Sequence, residues 1–113
     1  MDPECIFCKI VAGRIPANKV FEDDEILAFH DIHPWAPVHV LLIPKQHIAS
    51  MLEVQTEHQA LLGRMGVLGA DLMKQLGVHN GFRHVINTGR DGGQEVHHVH
   101  VHVMGGPRPW AKG

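Results

Sequence analysis

The hydrophobic residues of this chain follow two periodicities, which predict one long helix and several short strands. Between residues 56 and 76, apolar side chains recur every three or four positions, as on the buried face of a helix. Thr56 is expected to cap this helix and Gly77 to end it. A shorter helix is predicted over residues 5–15, where a glycine and a proline end the pattern. The predicted buried stripe of the long helix consists of Leu61, Leu62, Met65, Leu68, Leu72, Met73 and Leu76.

Five other segments have the composition of β-strands. Each is rich in β-branched or aromatic residues and is bounded by proline, glycine or acidic turn residues. Strands outnumber helices and do not alternate regularly with them. This order predicts an α+β fold, in which an antiparallel sheet of about five strands carries one long helix and a short N-terminal helix. The predicted strands are residues 19–22, 26–31, 38–43, 82–87 and 98–104.

Length and charge narrow the possible functions. The 113 residues, 44% of them hydrophobic, suit one globular domain spanning residues 1–113. The formal net charge is −2 and no basic run is present, which argues against a nucleic acid polymer or an anionic membrane as partner. No stretch approaches the roughly 18 apolar residues of a membrane span, and the N-terminus lacks the apolar core of a signal peptide. We therefore expect a cytoplasmic protein.

Histidine is the residue type that stands out, with eleven copies. Three of them, His98, His100 and His102, alternate with valines in the last predicted strand. Because side chains on a strand alternate between faces with a rise of about 3.3 Å per residue, these imidazoles are expected on one face and the valines on the other. One face of the strand is therefore apolar and the other is a row of imidazoles.

Three interpretations of this row are open. The first is the polar, solvent-facing side of an amphipathic strand, although such faces usually carry Thr, Lys, Glu and Arg. The second is a metal site of the His-x-His type with a third ligand from elsewhere. The third is phosphorus chemistry, in which one neutral imidazole attacks and a neighbour protonates the leaving group. The amides of the glycine-bearing loop 91–95 would then hold the phosphate oxygens.

The two cysteines form a Cys-x-x-Cys pair, Cys5 and Cys8. In a reducing compartment such a pair indicates a metal or redox site more often than a structural disulfide. The pair precedes every predicted strand, which disfavours the redox motif of a βαβ unit. Metal binding and simple apolar packing are the interpretations that remain.

Taken together, these motifs resemble the histidine-triad (HIT) superfamily, and within it the HINT branch. Residues 98–104 match the signature His-φ-His-φ-His-φ-φ, where φ is hydrophobic. The other motifs match in order and spacing over nearly the whole chain, and the resemblance implies a single HIT domain with the HIT-like fold. Those motifs are Cys5-Ile6-Phe7-Cys8-Lys9-Ile10, Phe29-His30-Asp31-Ile32, Pro37-Val38-His39, Ile43-Pro44-Lys45-Gln46-His47, Asn87, Gly92-Gly93-Gln94 and Gly105-Gly106.

The resemblance implies hydrolysis of purine nucleoside 5′-phosphoramidates, such as adenosine 5′-monophosphoramidate and aminoacyl-adenylate-like compounds, through a covalent nucleotidyl-histidine. It implies His100 as the nucleophile, His102 beside the phosphate and leaving group, and His39 beside the nucleophile. Because an amine leaves poorly as an anion, a proton must reach it, and an imidazolium of His102 is the first candidate donor, with His39 the second. The alternatives are a dinucleoside polyphosphate hydrolase of the same superfamily and a nucleotide-binding interaction module without turnover.

The resemblance also implies a nucleotide pocket. Asp31 is expected to accept hydrogen bonds from the ribose hydroxyls, with His30 beside it in the same motif. Glu95 and His97 stand where relatives often have Ser and an aromatic residue, and we expect the charge of Glu95 to tune the leaving-group preference. The base is expected between Ile6, Phe7, Ile10, Phe29 and Ile32, for each of which core packing is the alternative. The residues implied around the α-phosphate and ribose are Asn87, Gly93, Gln94 and Val96.

A structural zinc ion and a homodimer complete what the resemblance implies. Bacterial relatives with this cysteine pair add the histidine after the Pro-Lys pair and the first histidine of the triad. The implied zinc ligands are Cys5, Cys8, His47 and His98, and the chemistry itself needs no cofactor. In the implied dimer the two sheets join edge to edge, and residues near Trp110 approach the partner's pocket.

Overall fold

An antiparallel five-stranded sheet organises the computed structural model, which describes residues 2–112. The strand order is β1-β2-β3-β5-β4, so that β3 and β5 lie in the middle and pair with each other. The α+β class, the long helix and the short N-terminal helix are confirmed. The strands are β1 (Lys19–Glu22), β2 (Ile26–His30), β3 (Val38–Pro44), β4 (Phe82–Val85) and β5 (Val101–Gly105); the helices are α1 (Ile6–Val11) and α2 (Gln59–Gln75).

Each face of the sheet carries its own apolar cluster. The long helix α2 covers one face, and Val99, Val101 and Val103 belong to that cluster. Gly69 lets α2 approach the sheet closely, since a Cβ at this position would lie only 2.9 Å from a Val103 methyl. The short helix α1 covers the other face, where Phe7 packs with residues of β2 and β3. The triad histidines lie on the α1 side, so the predicted alternation of valines and imidazoles is confirmed.

Both helices are shorter than predicted. The expected cap at Thr56 is wrong, because residues 56–58 form a 3-10 turn and α2 begins only at Gln59. At the other end Gly77 has φ +85°, and the amide that follows it bonds back to Met73 O at 2.8 Å, so the predicted stop is confirmed. The predicted helix 5–15 is limited to Ile6–Val11.

The last strand begins three residues later than predicted. Val99 N–H donates to Ile48 O at 2.7 Å and His98 N–H to Val96 O at 2.9 Å, so this part of the chain is held outside the ladder. The prediction of a continuous strand over residues 98–104 is therefore wrong at its N-terminal end. The predicted strands 26–31 and 82–87 also end earlier than expected.

Within residues 2–112, no helix is long and apolar enough to cross a membrane.

Candidate active site and metal centre

A cavity of about 300 Å³ opens on the α1 side of the sheet, beside His100 and His102. This volume lies at the small end of the range found for small-molecule sites. Eight predicted site residues line it: Phe7, Asp31, Asn87, Gly93, Glu95, Val96, His100 and His102. Four other lining residues were missed by the sequence analysis: His33, Trp35, Leu41 and Lys112.

Other residues expected to hold the nucleotide lie elsewhere. Ile10 and Phe29 are buried in the apolar cluster under α1. Ile32 is 86% exposed and Ile6 is 47% exposed, and neither lines the cavity. The amide of Gln94 is buried, where it donates to the carbonyl oxygens of Ala49 and Val96 and thereby braces the loop. His30 is half-buried and also lies outside the cavity lining, so nucleotide binding by this whole set stays a prediction.

The histidine row is not a solvent-facing surface. His98, His100 and His102 are 0%, 5% and 7% exposed. Phe7 covers the middle ring edge-on, with its centroid 5.1 Å from that of His100. This burial removes the first of the three interpretations and leaves metal binding and phosphorus chemistry.

A single backbone contact sets the tautomer of His100. Its Nδ1 lies 2.7 Å from His98 O. Because a carbonyl oxygen only accepts, Nδ1 must carry the proton, and Nε2 keeps its lone pair. Burial lowers the pKa of His100 below its ordinary value of 6.5, so the neutral form persists at neutral pH. His100 therefore has the state that a nucleophile requires.

A second chain of hydrogen bonds gives His102 the opposite tautomer. Trp35 N–H donates to His39 Nδ1 at 3.0 Å, which leaves the ring proton of neutral His39 on Nε2. That Nε2–H donates to His102 Nδ1 at 2.9 Å, so the proton of His102 resides on Nε2. The cavity thus has one imidazole with a free lone pair and, beside it, one with an N–H donor. Asp31 Oδ2, 3.5 Å from His39 Nε2, adds a negative charge to this arrangement.

The His39–His102 contact also argues against a metal between these rings. Two nitrogen ligands on one tetrahedral zinc lie about 3.3 Å apart. The observed 2.9 Å is the length of a hydrogen bond. Asp31, His39 and His102 are close enough to form a ligand cluster, but their geometry fits a hydrogen-bonded network better.

Burial keeps His102 neutral in the free protein, so its expected role as a proton donor stays a prediction. Desolvation, followed by the neighbouring rings of His100 and His39, lowers the pKa of His102 to about 4. Before substrate binds, His102 is therefore neutral at pH 7 and offers a hydrogen bond from neutral Nε2–H. Burial likewise lowers the pKa of His39. Neither ring brings an excess proton to the empty cavity.

This low pKa predicts a pH-dependent stability. Below its ordinary pKa of 6.5, His102 binds a proton in the unfolded chain, whereas in the folded chain it does so only below about 4. Its contribution is fully present above about pH 6.5 and is lost as the pH falls towards 4. We expect the stability difference between wild type and His102→Asn to shrink by about 1.4 kcal/mol from pH 7.5 to 5.5, measured by urea unfolding. An equal difference at both pH values would contradict this.

Four ligand-type side chains meet beside the cavity, at the start of α1. Cys8 Sγ lies 3.3 Å from His47 Nδ1 and 3.6 Å from His98 Nδ1. Cys5 Sγ lies 3.3 Å from His98 Nδ1, and the two Nδ1 atoms are 3.3 Å apart. All four ligand atoms lie within 4.8 Å of one another. The structure therefore brings together all four residues of the predicted zinc set.

The distances within this cluster fit tetrahedral zinc. Zn–N bonds of about 2.0–2.1 Å and Zn–S bonds of about 2.3 Å place two nitrogens about 3.3 Å apart and nitrogen and sulfur about 3.6 Å apart. His98 Nε2–H donates to Pro44 O at 2.7 Å, which leaves Nδ1 without a proton, as a ligand must be. With four protein ligands no coordination position remains for a substrate, so this is a structural type of site.

His98 links the cluster of Cys5, Cys8, His47 and His98 to His100. Its Nδ1 belongs to the cluster, and its carbonyl oxygen accepts from His100 Nδ1. The histidine that we predicted to be free of direct chemistry therefore sets the tautomer of the next one. A shift of His98 would move the acceptor on which the lone pair of His100 depends.

Glu95 and His97, the two departures from the common pattern, are both exposed. Glu95 lines the cavity, and its charge favours the protonated form of His100, partly offsetting the effect of burial on the His100 pKa. His97 lies outside the cavity, beside Ile6. The expected tuning of the leaving group by Glu95 stays a prediction.

One signal could have identified a missed residue. Trp35 is a large aromatic residue between two prolines, in a loop that reads as irregular. No hydrophobic periodicity assigns Trp35 to the core. A large aromatic side chain in such a loop therefore indicates a specific packing partner. Its indole stacks on His102, with centroids 5.1 Å apart. His33 and Lys112 gave no comparable signal.

Comparison with known proteins agrees with this geometry. The profile of the family described as "Scavenger mRNA decapping enzyme C-term binding" matches residues 4–111. The purine nucleoside phosphoramidase of Escherichia coli K12 is 45% identical over 94% of this chain and 90% of its own. A HIT family hydrolase from Legionella pneumophila has a TM-score of 0.90 and 46% identity, over 93% of this chain and 95% of its own. A zinc-bound histidine triad family protein from Mycobacterium smegmatis has a TM-score of 0.80 and 32% identity, over 90% of this chain and 74% of its own.

Proposed function

We propose that this chain, which belongs to the histidine-triad family, cleaves the P–N bond of purine nucleoside 5′-phosphoramidates. Members of this family include hydrolases. One observation carries the proposal: His100 keeps its Nε2 lone pair while His102, beside it, keeps an Nε2–H. Such a pair suits a reaction that needs a nucleophile and a hydrogen-bond donor at one phosphorus. The name of the Escherichia coli relative supports the choice of P–N chemistry.

In the proposed reaction, His100 Nε2 attacks the α-phosphorus. A new N–P bond forms, the P–N bond to the amine breaks, and the amine departs with one added proton. Water then attacks the phosphorus and gives up one proton, which replaces the one taken by the amine. The bond between phosphorus and His100 Nε2 breaks, the nucleoside monophosphate leaves, and the lone pair returns to His100. The hydrogen bond from Nδ1 to His98 O strengthens as positive charge develops on the attacking ring.

The neutral state of His102 constrains the route of the leaving-group proton. A ring with a pKa of about 4 is a weak source of protons in the free protein. The phosphate's negative charge raises the pKa of a nearby imidazole, because it favours the charged form. We therefore propose that His102 gains its acid function only when substrate is bound.

We also propose that zinc occupies the Cys5, Cys8, His47 and His98 cluster. The ligand distances and the unprotonated Nδ1 of His98 support it, as does the zinc-bound relative. When bound, the ion fixes α1 to the triad segment, and no step of the reaction passes through it.

The homodimer stays a proposal as well. The strand order leaves β1 and β4 as the edges of the sheet, so edge-to-edge pairing has to use one of them. The cytoplasmic location likewise stays a prediction.

The test is a substrate panel offered to the zinc-loaded wild-type protein. It contains adenosine 5′-phosphoramidate, a diadenosine polyphosphate and AMP, with product release followed by chromatography. We expect turnover of the phosphoramidate at a kcat/KM at least about tenfold above that for the dinucleotide, because a cavity of about 300 Å³ leaves little room for a second nucleotide. Faster turnover of the dinucleotide would select the polyphosphate hydrolase. Binding of all three without turnover would select a nucleotide-binding module.

A further inference from the structure

The indole of Trp35 forms one wall of the cavity and has no role in the proposed reaction. It lies nearly parallel to the ring of His102, with centroids 5.1 Å apart and an interplanar angle of 15°. Phe7, from α1, meets His100 edge-on at 5.1 Å and 84°. The two rings that carry the chemistry therefore stand between two aromatic walls, one from α1 and one from the loop before β3.

Lys112 brings a positive charge to the Trp35 wall. Its Nζ lies 4.9 Å from the indole centroid, and its backbone N–H donates to Trp35 O at 3.4 Å. Trp110 anchors the segment before it, with Nε1–H donating to Gly106 O at 3.0 Å. The C-terminal segment thus returns to the cavity, where Lys112 is the one lysine or arginine of the described chain in the lining.

The two walls differ in charge. Glu95 belongs to the α1 side, because it also borders the depression beside Ile6. Lys112 belongs to the Trp35 side. A ligand that spans the cavity therefore meets a carboxylate near one aromatic wall and an ammonium group near the other.

We propose that Trp35 and Lys112 form the leaving-group subsite and select amines that carry both an apolar, preferably aromatic, side chain and a carboxylate. The inference rests on the function proposed above, together with the predicted position of the base beside Phe7, on the α1 side. The leaving amine then lies on the His102 side, where the indole wall is. An aromatic ring gains contact with the indole, and a carboxylate on the same amine gains the charge of Lys112. Amino-acid amidates of a nucleoside monophosphate have both groups.

The experiment compares four amidates of AMP, whose amines are ammonia, alanine, phenylalanine and phenethylamine. The last lacks only the carboxylate of phenylalanine. The readout is a ratio of kcat/KM between two substrates, in which any effect of a variant on both cancels. Wild type is compared with Trp35→Leu, Trp35→Phe and Lys112→Gln. Lys74→Gln makes the same charge change on the exposed side of α2, far from the lining.

For Trp35→Leu, we expect the preference for the phenylalanine over the alanine amidate to fall about tenfold, and Trp35→Phe to restore most of it. For Lys112→Gln, we expect the preference for phenylalanine over phenethylamine to fall about threefold, and Lys74→Gln to leave it unchanged. Unchanged ratios in Trp35→Leu overturn the proposal. An equal loss on all four amidates, ammonia included, also overturns it, because the indole would then contact the nucleoside.

Binding measurements separate this inference from the proposed reaction. Calorimetric titration of His100→Ala with the same four amidates gives affinity ratios without turnover. If wild type hydrolyses none of them and the affinity ratios follow Trp35 and Lys112, the subsite stands and the proposed reaction fails. If wild type hydrolyses all four, and the Trp35 and Lys112 variants change neither the kcat/KM ratios nor the affinity ratios, the proposed reaction stands and the subsite fails.

Discussion

Replacing His100 by alanine is expected to lower kcat for adenosine 5′-phosphoramidate by at least about 10⁴-fold, the scale on which loss of a covalent nucleophile is felt. In the wild type, the hydrogen bond from His100 Nδ1 to His98 O leaves the lone pair on Nε2, and the variant removes that lone pair. Water is a poorer nucleophile toward a phosphoramidate and has no equivalent acceptor to position it. Single-turnover kinetics with excess protein measure the loss directly.

Two controls show whether the lost group acts as a nucleophile. His100→Gly leaves a space into which free imidazole can enter, so added imidazole is expected to restore part of the rate by attacking the phosphorus itself. His79→Ala, on an exposed loop outside the cavity lining, is expected to keep the wild-type rate. If His100→Ala retains more than about a tenth of the wild-type rate, nucleophilic catalysis by this ring is wrong, since loss of a nucleophile costs far more.

The alternation of faces along the triad could be predicted from the sequence, whereas the residue at which the last strand begins to pair could not. Alternation alone places Val101 and Val103 on one face and the imidazoles on the other; the structure agrees and places α2 over the valines and α1 over the imidazoles. The departure of residues 98–100 from the strand depends on an acceptor, Ile48 O, that is distant in sequence. Local periodicity contains no information on such a partner.

The tautomer and pKa of His102 could not be predicted from the sequence for a similar reason. The proton on His102 Nε2 follows from Trp35 N–H and His39, two groups that a loop and β3 bring to the triad. Its pKa of about 4 follows from burial by elements far apart in the sequence. The cluster of Cys5, Cys8, His47 and His98, in contrast, could be predicted from the resemblance to bacterial relatives, which implies the two histidines as partners of the cysteine pair.

The proposed zinc site joins α1 to the triad segment, so removal of the metal is expected to have the second large effect. If free zinc is about a thousandfold above its Kd, the ion stabilises the folded chain by about 4 kcal/mol. Chelation should lower the urea midpoint accordingly, and we expect about one zinc per chain before treatment. Activity should fall as well, because His98 provides both a ligand atom and the carbonyl that fixes the tautomer of His100.

The variant Cys8→Ala separates zinc binding from simple packing of the thiol. Cys8 is 2% exposed, so its truncation destabilises the chain in either case. If zinc is bound, the chelator shifts the midpoint of the wild type strongly and that of Cys8→Ala much less, because the variant has already lost one ligand. If the cysteines only fill space, the chelator shifts neither midpoint, and the variant differs from wild type by the same amount with and without it. Less than about 0.2 zinc per chain with intact thiols would support that second outcome.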